Sequence, residues 1–239
     1  MNLNIKIRGK GPALVFFHGW GFDHKIWLGL AQILENRYTL YLVDLPGFGL
    51  SSLMDWPQFK LLLLDKLPDH FAVIGWSLGG LYASKMAIES PERITHLINV
   101  ASSPRFIKEK DWPGVEQRVF DGFLQNLLVD SQQTISDFVG LQLKNQTYEY
   151  NTHLLPERAS LEAGLRILAD WDLREPLRHF TKPTAYLFGR LDAITPRITM
   201  PVMQKIYPNF NFTMFNKAAH MPFLSHQNEF ISTLEHFLE

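Results

Sequence analysis

The chain has 239 residues, 46% of them hydrophobic and 20% charged, with 23 Lys and Arg against 24 Asp and Glu for a formal net charge of −1. That balance leaves no basic surplus for nucleic acid or an anionic membrane, and neither is expected as a partner. There is no cysteine, which excludes a disulfide framework, a thiolate nucleophile and a Cys-based metal site. The opening Met1 to Lys10 lacks the apolar stretch of a signal peptide, and no run of about 18 apolar residues exists to cross a membrane. A cytoplasmic protein is expected. The 18 Phe, 7 Tyr and 6 Trp fit a packed aromatic core better than a roomy apolar pocket.

In chain order, short β-branched and aromatic runs alternate with helical patterns. Strands are predicted over Leu3–Ile7 and Ala13–Phe17, then a helix over Lys25–Glu35, a strand over Tyr38–Val43 and a helix over Trp56–Lys66. A strand over Phe71–Ile74, a helix over Leu78–Glu89 and a strand over His96–Val100 follow. From Pro104 to Phe180 no buried strand is expected, only helical patterns over Gly114–Leu128, Gln132–Gln142 and Pro156–Ala169. The alternation resumes with a strand over Thr184–Phe188, a helix over Arg197–Ile206, a strand over Asn211–Phe215 and a helix over Asn228–Phe237. Several strands are continuous apolar runs, as strands buried on both faces are. The fold class is therefore α/β: a mostly parallel, doubly wound sheet with a helical cap inserted before the penultimate strand. The core spans 1–110 and 175–239 and the cap 111–174, which belongs above the carboxyl ends of the strands, where such sheets bind ligands.

The chemistry starts at Gly75-Trp76-Ser77-Leu78-Gly79-Gly80. This is G-x-S-x-G between a strand and a helix, a turn so tight that the flanking glycines must give space to the crossing backbone. Chance alone supplies that motif in roughly one chain in a dozen of this size, so the strand before it and the helix after it are what make Ser77 a candidate nucleophile. A serine hydroxyl needs a general base. In sheets with this turn, the acid and then the histidine follow the serine along the chain. Asp192 is the only carboxylate on the loop Gly189–Pro196 that follows the penultimate strand and is the candidate acid, with Asp170 and Asp172 as fallbacks. Helix capping is the alternative role for Asp192. His220, in Lys217-Ala218-Ala219-His220, follows the last strand and is the candidate base. His226 and His236 fall beside or on the last helix, His96 on a strand, and His153 and His179 in or beside the cap.

Phe17-His18-Gly19-Trp20-Gly21 follows the second strand and matches an oxyanion-hole loop. The N–H groups of Trp20 and Leu78 are the candidate donors, and His18 is read as holding the loop. Pro46-Gly47-Phe48-Gly49 lacks phosphate-loop spacing and reads as a turn. No metal-ligand spacing stands out, so neither a metal nor another cofactor is expected.

With these residues in place, the chain resembles the α/β-hydrolase superfamily over nearly its whole length. More narrowly it is similar to the pimeloyl-[acyl-carrier protein] methyl ester carboxylesterases of biotin biosynthesis. The carrying segments are His18-Gly19-Trp20-Gly21, Val43-Asp44-Leu45-Pro46-Gly47-Phe48-Gly49, Gly75-Trp76-Ser77-Leu78-Gly79-Gly80, Ala101-Ser102-Ser103-Pro104, Asp172-Leu173-Arg174 and Lys217-Ala218-Ala219-His220. The resemblance implies a monomeric serine esterase that cleaves the methyl ester of pimeloyl-[acyl-carrier protein] to methanol and the free acid on the carrier. It implies substrate contacts at Trp20, Ser77, Leu78, His220 and the cap segment Phe138, Val139, Gly140, Leu141 and Gln142. The family's cap is basic where it meets the acidic carrier protein. Here Ser131–Asn151 offers only Lys144 as a cation, against Asp137 and Glu149, with Arg158 and Arg166 further on. A broad short-chain carboxylesterase or C–C bond hydrolase using the same triad is the alternative, and a non-catalytic binding protein on this fold the remaining one.

Overall fold

The structure is a computed structural model and describes residues 1–143 and 156–239. Its strands are β1 (Ile5–Gly9), β2 (Ala13–Phe17), β3 (Thr39–Val43), β4 (Phe71–Trp76), β5 (Ile94–Val100), β6 (Thr184–Gly189) and β7 (Asn211–Phe215). They form one sheet in the order β1-β3-β2-β4-β5-β6-β7. Only β1 is antiparallel, to β3; the other neighbours run parallel. The apolar runs are explained by position. Every residue of β4 and β6 is buried, whereas the edge strands β1 and β7 keep exposed positions.

The helices between the strands are α1 (Leu28–Leu34), α2 (Trp56–Lys66) and α3 (Leu78–Glu89). The start expected at Lys25 is different in kind: His24–Trp27 is a 3-10 turn, and the α-helix begins only at Leu28. Asp23 caps that turn by accepting from the Lys25 N–H, which favours the tighter winding at the entry. Helix α3 is buried on nearly all sides, so it packs as a core element rather than an amphipathic one.

Between β5 and β6 lie α4 (Gln117–Val129), α5 (Ser131–Leu143), α6 (Arg158–Asp170) and the short α7 (Arg174–Arg178). Helix α4 starts three residues later than expected. Gly114 is tied into the preceding turn, where an added Cβ would stand 2.3 Å from the Phe106 carbonyl oxygen. The chain closes with α8 (Thr199–Ile206), α9 (Pro222–Ser225) and α10 (Gln227–Leu238). Among the described residues no helix is long and apolar enough to cross a membrane.

Much of the aromatic surplus is core. Trp27 packs on Phe16, Trp76 and Phe223, with ring centroids 5.3, 6.4 and 4.4 Å apart. A second cluster joins Trp56, Tyr82 and Trp171. Strand β2 lies between β3 and β4, so the chain leaves β2 for one side and later returns on the other. The crevice created by such a reversal opens at the carboxyl ends of β2 and β4, between the loops that carry Trp20 and Ser77.

Candidate active site

Ser77 sits between β4 and α3 with φ 55° and ψ −117°. A non-glycine residue in that region is strained, and such strain gathers at functional sites. The neighbours enforce it. An added Cβ on Gly75 would lie 2.2 Å from the Gly79 carbonyl oxygen, and one on Gly79 would lie 2.3 Å from that of Phe17. The Ser77 N–H donates to Val100 O at 3.0 Å, and its carbonyl accepts from the Gly80 N–H at 2.9 Å and the Ser102 hydroxyl at 2.8 Å. The strained turn is thus held from both sides of the sheet.

His220 and Asp192 come together as a buried pair, with Nδ1 of the imidazole 2.8 Å from Oδ2 of the carboxylate. The other oxygen, Oδ1, accepts from the Ile194 and Thr195 N–H groups at 2.7 and 3.0 Å. Asp192 therefore organises its own loop while its second oxygen holds the histidine, but it caps no helix: α8 starts at Thr199, with Ile198 at its N-cap and no side-chain cap bond. Because an ionised carboxylate only accepts, the imidazole proton is fixed on Nδ1 and Nε2 is left as the acceptor. That Nε2 is buried with no hydrogen-bond partner among the described residues. A buried polar atom left open is a cost and commonly marks a reactive position. The fallback acids are elsewhere: Asp170 is exposed, and Asp172 is bound to Arg174 at 2.6 Å. His226 bonds its neighbour Ser225 at 2.8 Å.

Three residues that the sequence reading gave no role support this arrangement. The Trp76 indole N–H donates to the His220 carbonyl at 2.9 Å and so ties the histidine loop to β4. Thr195 bonds the Ala101 carbonyl at 3.0 Å through its hydroxyl, linking the acid loop to the end of β5. Gly189 lets the two loops touch: an added Cβ would stand 1.9 Å from the Ala219 carbonyl oxygen. Their only signal in sequence was adjacency to the motif residues.

Helix α3 begins at Leu78, so the Leu78 N–H is one of the N-terminal donors with no intrahelical acceptor. The facing loop is held by His18. Its Nε2 accepts from the Leu45 N–H at 3.0 Å, and Nδ1 lies 2.8 Å from Gly19 O. Both ring nitrogens are thus committed to backbone. Burial pulls its pKa below the ordinary histidine value, against the opposing charge of Asp44, so the ring is neutral at neutral pH. Trp20 is buried, donates its indole N–H to Leu161 O at 2.9 Å, and meets Phe123 and Phe138 edge-on at 5.4 and 5.3 Å.

Within the segment 138–142, Val139 and Gln142 are buried and Phe138 is half-buried against Trp20. Gly140 and Leu141 are exposed, Leu141 to 48%. The five therefore do not share one face of the helix, which turns only part of its surface inward. Lys144, Glu149 and His153 lie outside the described residues.

Asp23, His24 and Asp44 form a group whose ligand atoms lie within 4.8 Å of one another, which the spacing in sequence did not suggest. The group is already satisfied: Asp44 Oδ1 accepts from the His24 backbone at 2.7 Å and lies 2.8 Å from its ring Nδ1. Asp44 Oδ2 accepts from Asn4 at 2.7 Å and the Leu50 N–H at 3.0 Å. It reads as a lock on the loop that follows β2.

The family model described as "Alpha/beta hydrolase family" matches residues 14–233. The chain is 52% identical, over all of both chains, to a protein of Legionella pneumophila (strain Paris) named pimeloyl-[acyl-carrier protein] methyl ester esterase. It is 40% identical, again over all of both chains, to one of the same name from Aeromonas hydrophila. Among solved structures, a bromoperoxidase from Bacillus anthracis superposes with a TM-score of 0.89 at 21% identity, covering 99% of this chain and 95% of that one, a likeness of fold. The sheet order, the strained serine turn and these full-length matches agree, and the chain belongs to the alpha/beta hydrolase family, in the branch that holds these esterase-named relatives.

Proposed function

We propose that this protein is a serine carboxylesterase that hydrolyses the methyl ester of pimeloyl-[acyl-carrier protein], in biotin biosynthesis, as a cytoplasmic monomer. The substrate rests on one observation, the 52% identity over the whole of both chains to a relative of that name. The reaction class rests on the buried His220–Asp192 pair beside a strained serine turn.

Ser77 Oγ attacks the ester carbonyl while His220 Nε2 takes its proton. Asp192 stabilises the imidazolium without itself being protonated. The N–H groups of Trp20 and Leu78 face the oxygen on which charge develops. His220 then returns the proton to the departing methoxide, and methanol leaves an acyl-enzyme. Water, deprotonated by His220, attacks that acyl group, and collapse of the intermediate restores Ser77 and releases the carboxylate. In this reading residues 111–174 are the cap, and the acyl chain lies between cap and core, bounded by Trp20 and Phe138. The neutral methyl ester enters an apolar slot at little cost, whereas the product carboxylate is costly to desolvate there and leaves readily.

The test is turnover of methyl-pimeloyl carrier protein against a simple aryl ester, with Ser77→Ala as blank. The expected result is methanol release from the carrier ester that vanishes in the blank. Turnover of the aryl ester alone would reduce the reading to a broad esterase. Failure of Ser77 to react with a fluorophosphonate would overturn the hydrolase reading altogether.

A further inference from the structure

Charge is nearly balanced over the chain as a whole, 23 basic against 24 acidic residues. From Gly189 to Asn228 it is not: Arg190, Arg197, Lys205 and Lys217 face a single carboxylate, Asp192. That carboxylate is buried and bound to His220. All four cations are exposed, and among the described residues none of them forms an ion pair. Helices α4 to α6 of the insertion have no such excess, with Arg118, Arg158 and Arg166 against Asp121, Asp137, Glu162 and Asp170, and with Arg158 bound to Glu162 at 2.9 Å.

Two of the four cations meet at one place, and a third stands one helical turn away. Arg190 and Arg197, with Ile198, Pro201, Met214 and Asn216, line an open cleft of about 330 Å³. Lys205 stands one helical turn beyond Pro201 on α8, on the same face, and Lys217 follows Asn216. Ile198 is 55% exposed, so the cleft has an apolar floor and a cationic rim. Protein interfaces are built that way, with complementary charge setting partner and encounter rate. One wall belongs to the loop that carries Asp192, the other to the end of β7 that leads to His220. A partner seated here is held beside the reacting pair.

We infer that this cleft docks a protein with an acidic face and that, on the reading proposed above, this partner is the carrier that bears the ester. Only the acyl chain of such a substrate enters the site, and the body of the carrier must rest on the outside. The described helices of the insertion, with more acids than bases, offer it no comparable charge.

The test is the double variant Arg197→Glu/Lys205→Glu, both positions lying off the Asp192 loop. For methyl-pimeloyl carrier protein, KM is expected to rise about tenfold or more with kcat little changed, and turnover of a free short-chain methyl ester is expected to stay at the wild-type level. The wild-type KM should climb with ionic strength, and that of the variant should not. A matched reversal on the insertion, Arg118→Glu/Arg166→Glu, is expected to leave KM near wild type. An unmoved KM in the first variant overturns the inference, as does an equal rise in the second. Binding of the wild-type protein to phosphatidylserine vesicles but not to the carrier would also overturn it. If the wild type fails to turn over the carrier ester at all, the substrate reading falls first and the docking with it.

Discussion

Asp192 uses its two carboxylate oxygens for different partners, and that makes one substitution informative. In Asp192→Asn, the Ile194 and Thr195 N–H groups still require an acceptor. The amide oxygen must stay there, which turns the NH2 toward His220 Nδ1. The histidine then accepts at Nδ1 and carries its proton on Nε2, the wrong tautomer for a base. The expected outcome is a fall in kcat of about 10⁴-fold with a near-native melting temperature, measured on one preparation by turnover and calorimetry. Asp44 supplies a second case. Burial alone would raise its pKa, but the hydrogen bond from the His24 ring and the Leu50 and His24 N–H groups outweigh that and hold it at about 2, down from 3.8. A carboxylate with a depressed folded value contributes stability that is complete above the ordinary carboxylate range and is lost as pH falls through the folded value. The contribution is about 2 kcal/mol. Denaturant unfolding of wild type should weaken between roughly pH 5 and 2. Asp44→Asn should be less stable at pH 7 and should lack that part of the acid dependence. Both carboxylates stand in the sequence as ordinary loop residues. Chain order marked Asp192, while the partners of Asp44 come from the residue before β1, the turn after β2 and the turn after β3, and no spacing rule joins those.

At the scale of elements, the strands were the most legible part. β2 and β7 lie at the predicted bounds and the other five differ by a few residues; for the inner strands, burial on both faces imposes an unbroken hydrophobic signature. The turn at Ser77 was equally legible, since glycine is required wherever backbone crosses backbone. Gly189 was not, because it lies in no motif and its need arises from a loop 30 residues later. Gly189→Ala is therefore a sharp test of how closely the acid and histidine loops must approach. Its Cβ would meet main chain, which cannot rotate away. The expected result is destabilisation of about 1–3 kcal/mol by denaturant titration, with kcat reduced further than the loss of folded protein explains. The inserted helices were legible as helices, but which of their residues face the core was not. Gly140 and Leu141 look as eligible as Phe138 until the helix phase relative to Trp20 is known.

The whole molecule is closed by a junction at which both ends of the insertion meet. The Leu173 N–H donates to Pro104 O at 2.9 Å, and Arg105 bonds the Ala169 carbonyl. Arg174 grips Glu109 at 2.7 Å and Asp172 at 2.6 Å while its guanidinium lies 5.3 Å from the centre of the Trp112 ring. Arg174→Met should cost about 1 kcal/mol, because the charges are partly exposed while the fork also stacks on an aromatic face. A fall in melting temperature of about 2–4 °C, shrinking at high salt, is the expected reading by differential scanning calorimetry. By itself the sequence determined the alternating sheet architecture, the place of the inserted helices and the tight turn at Ser77, because each depends on neighbours a few residues apart or on burial pattern. Only the tertiary structure decided which oxygen of Asp192 meets His220, that Trp76 and Thr195 brace the pair, which face of α5 turns inward, and that Arg190 and Arg197 border one cleft. Those depend on groups far apart in the chain reaching one place, and pairwise geometry of that kind is written in the packing rather than in local spacing.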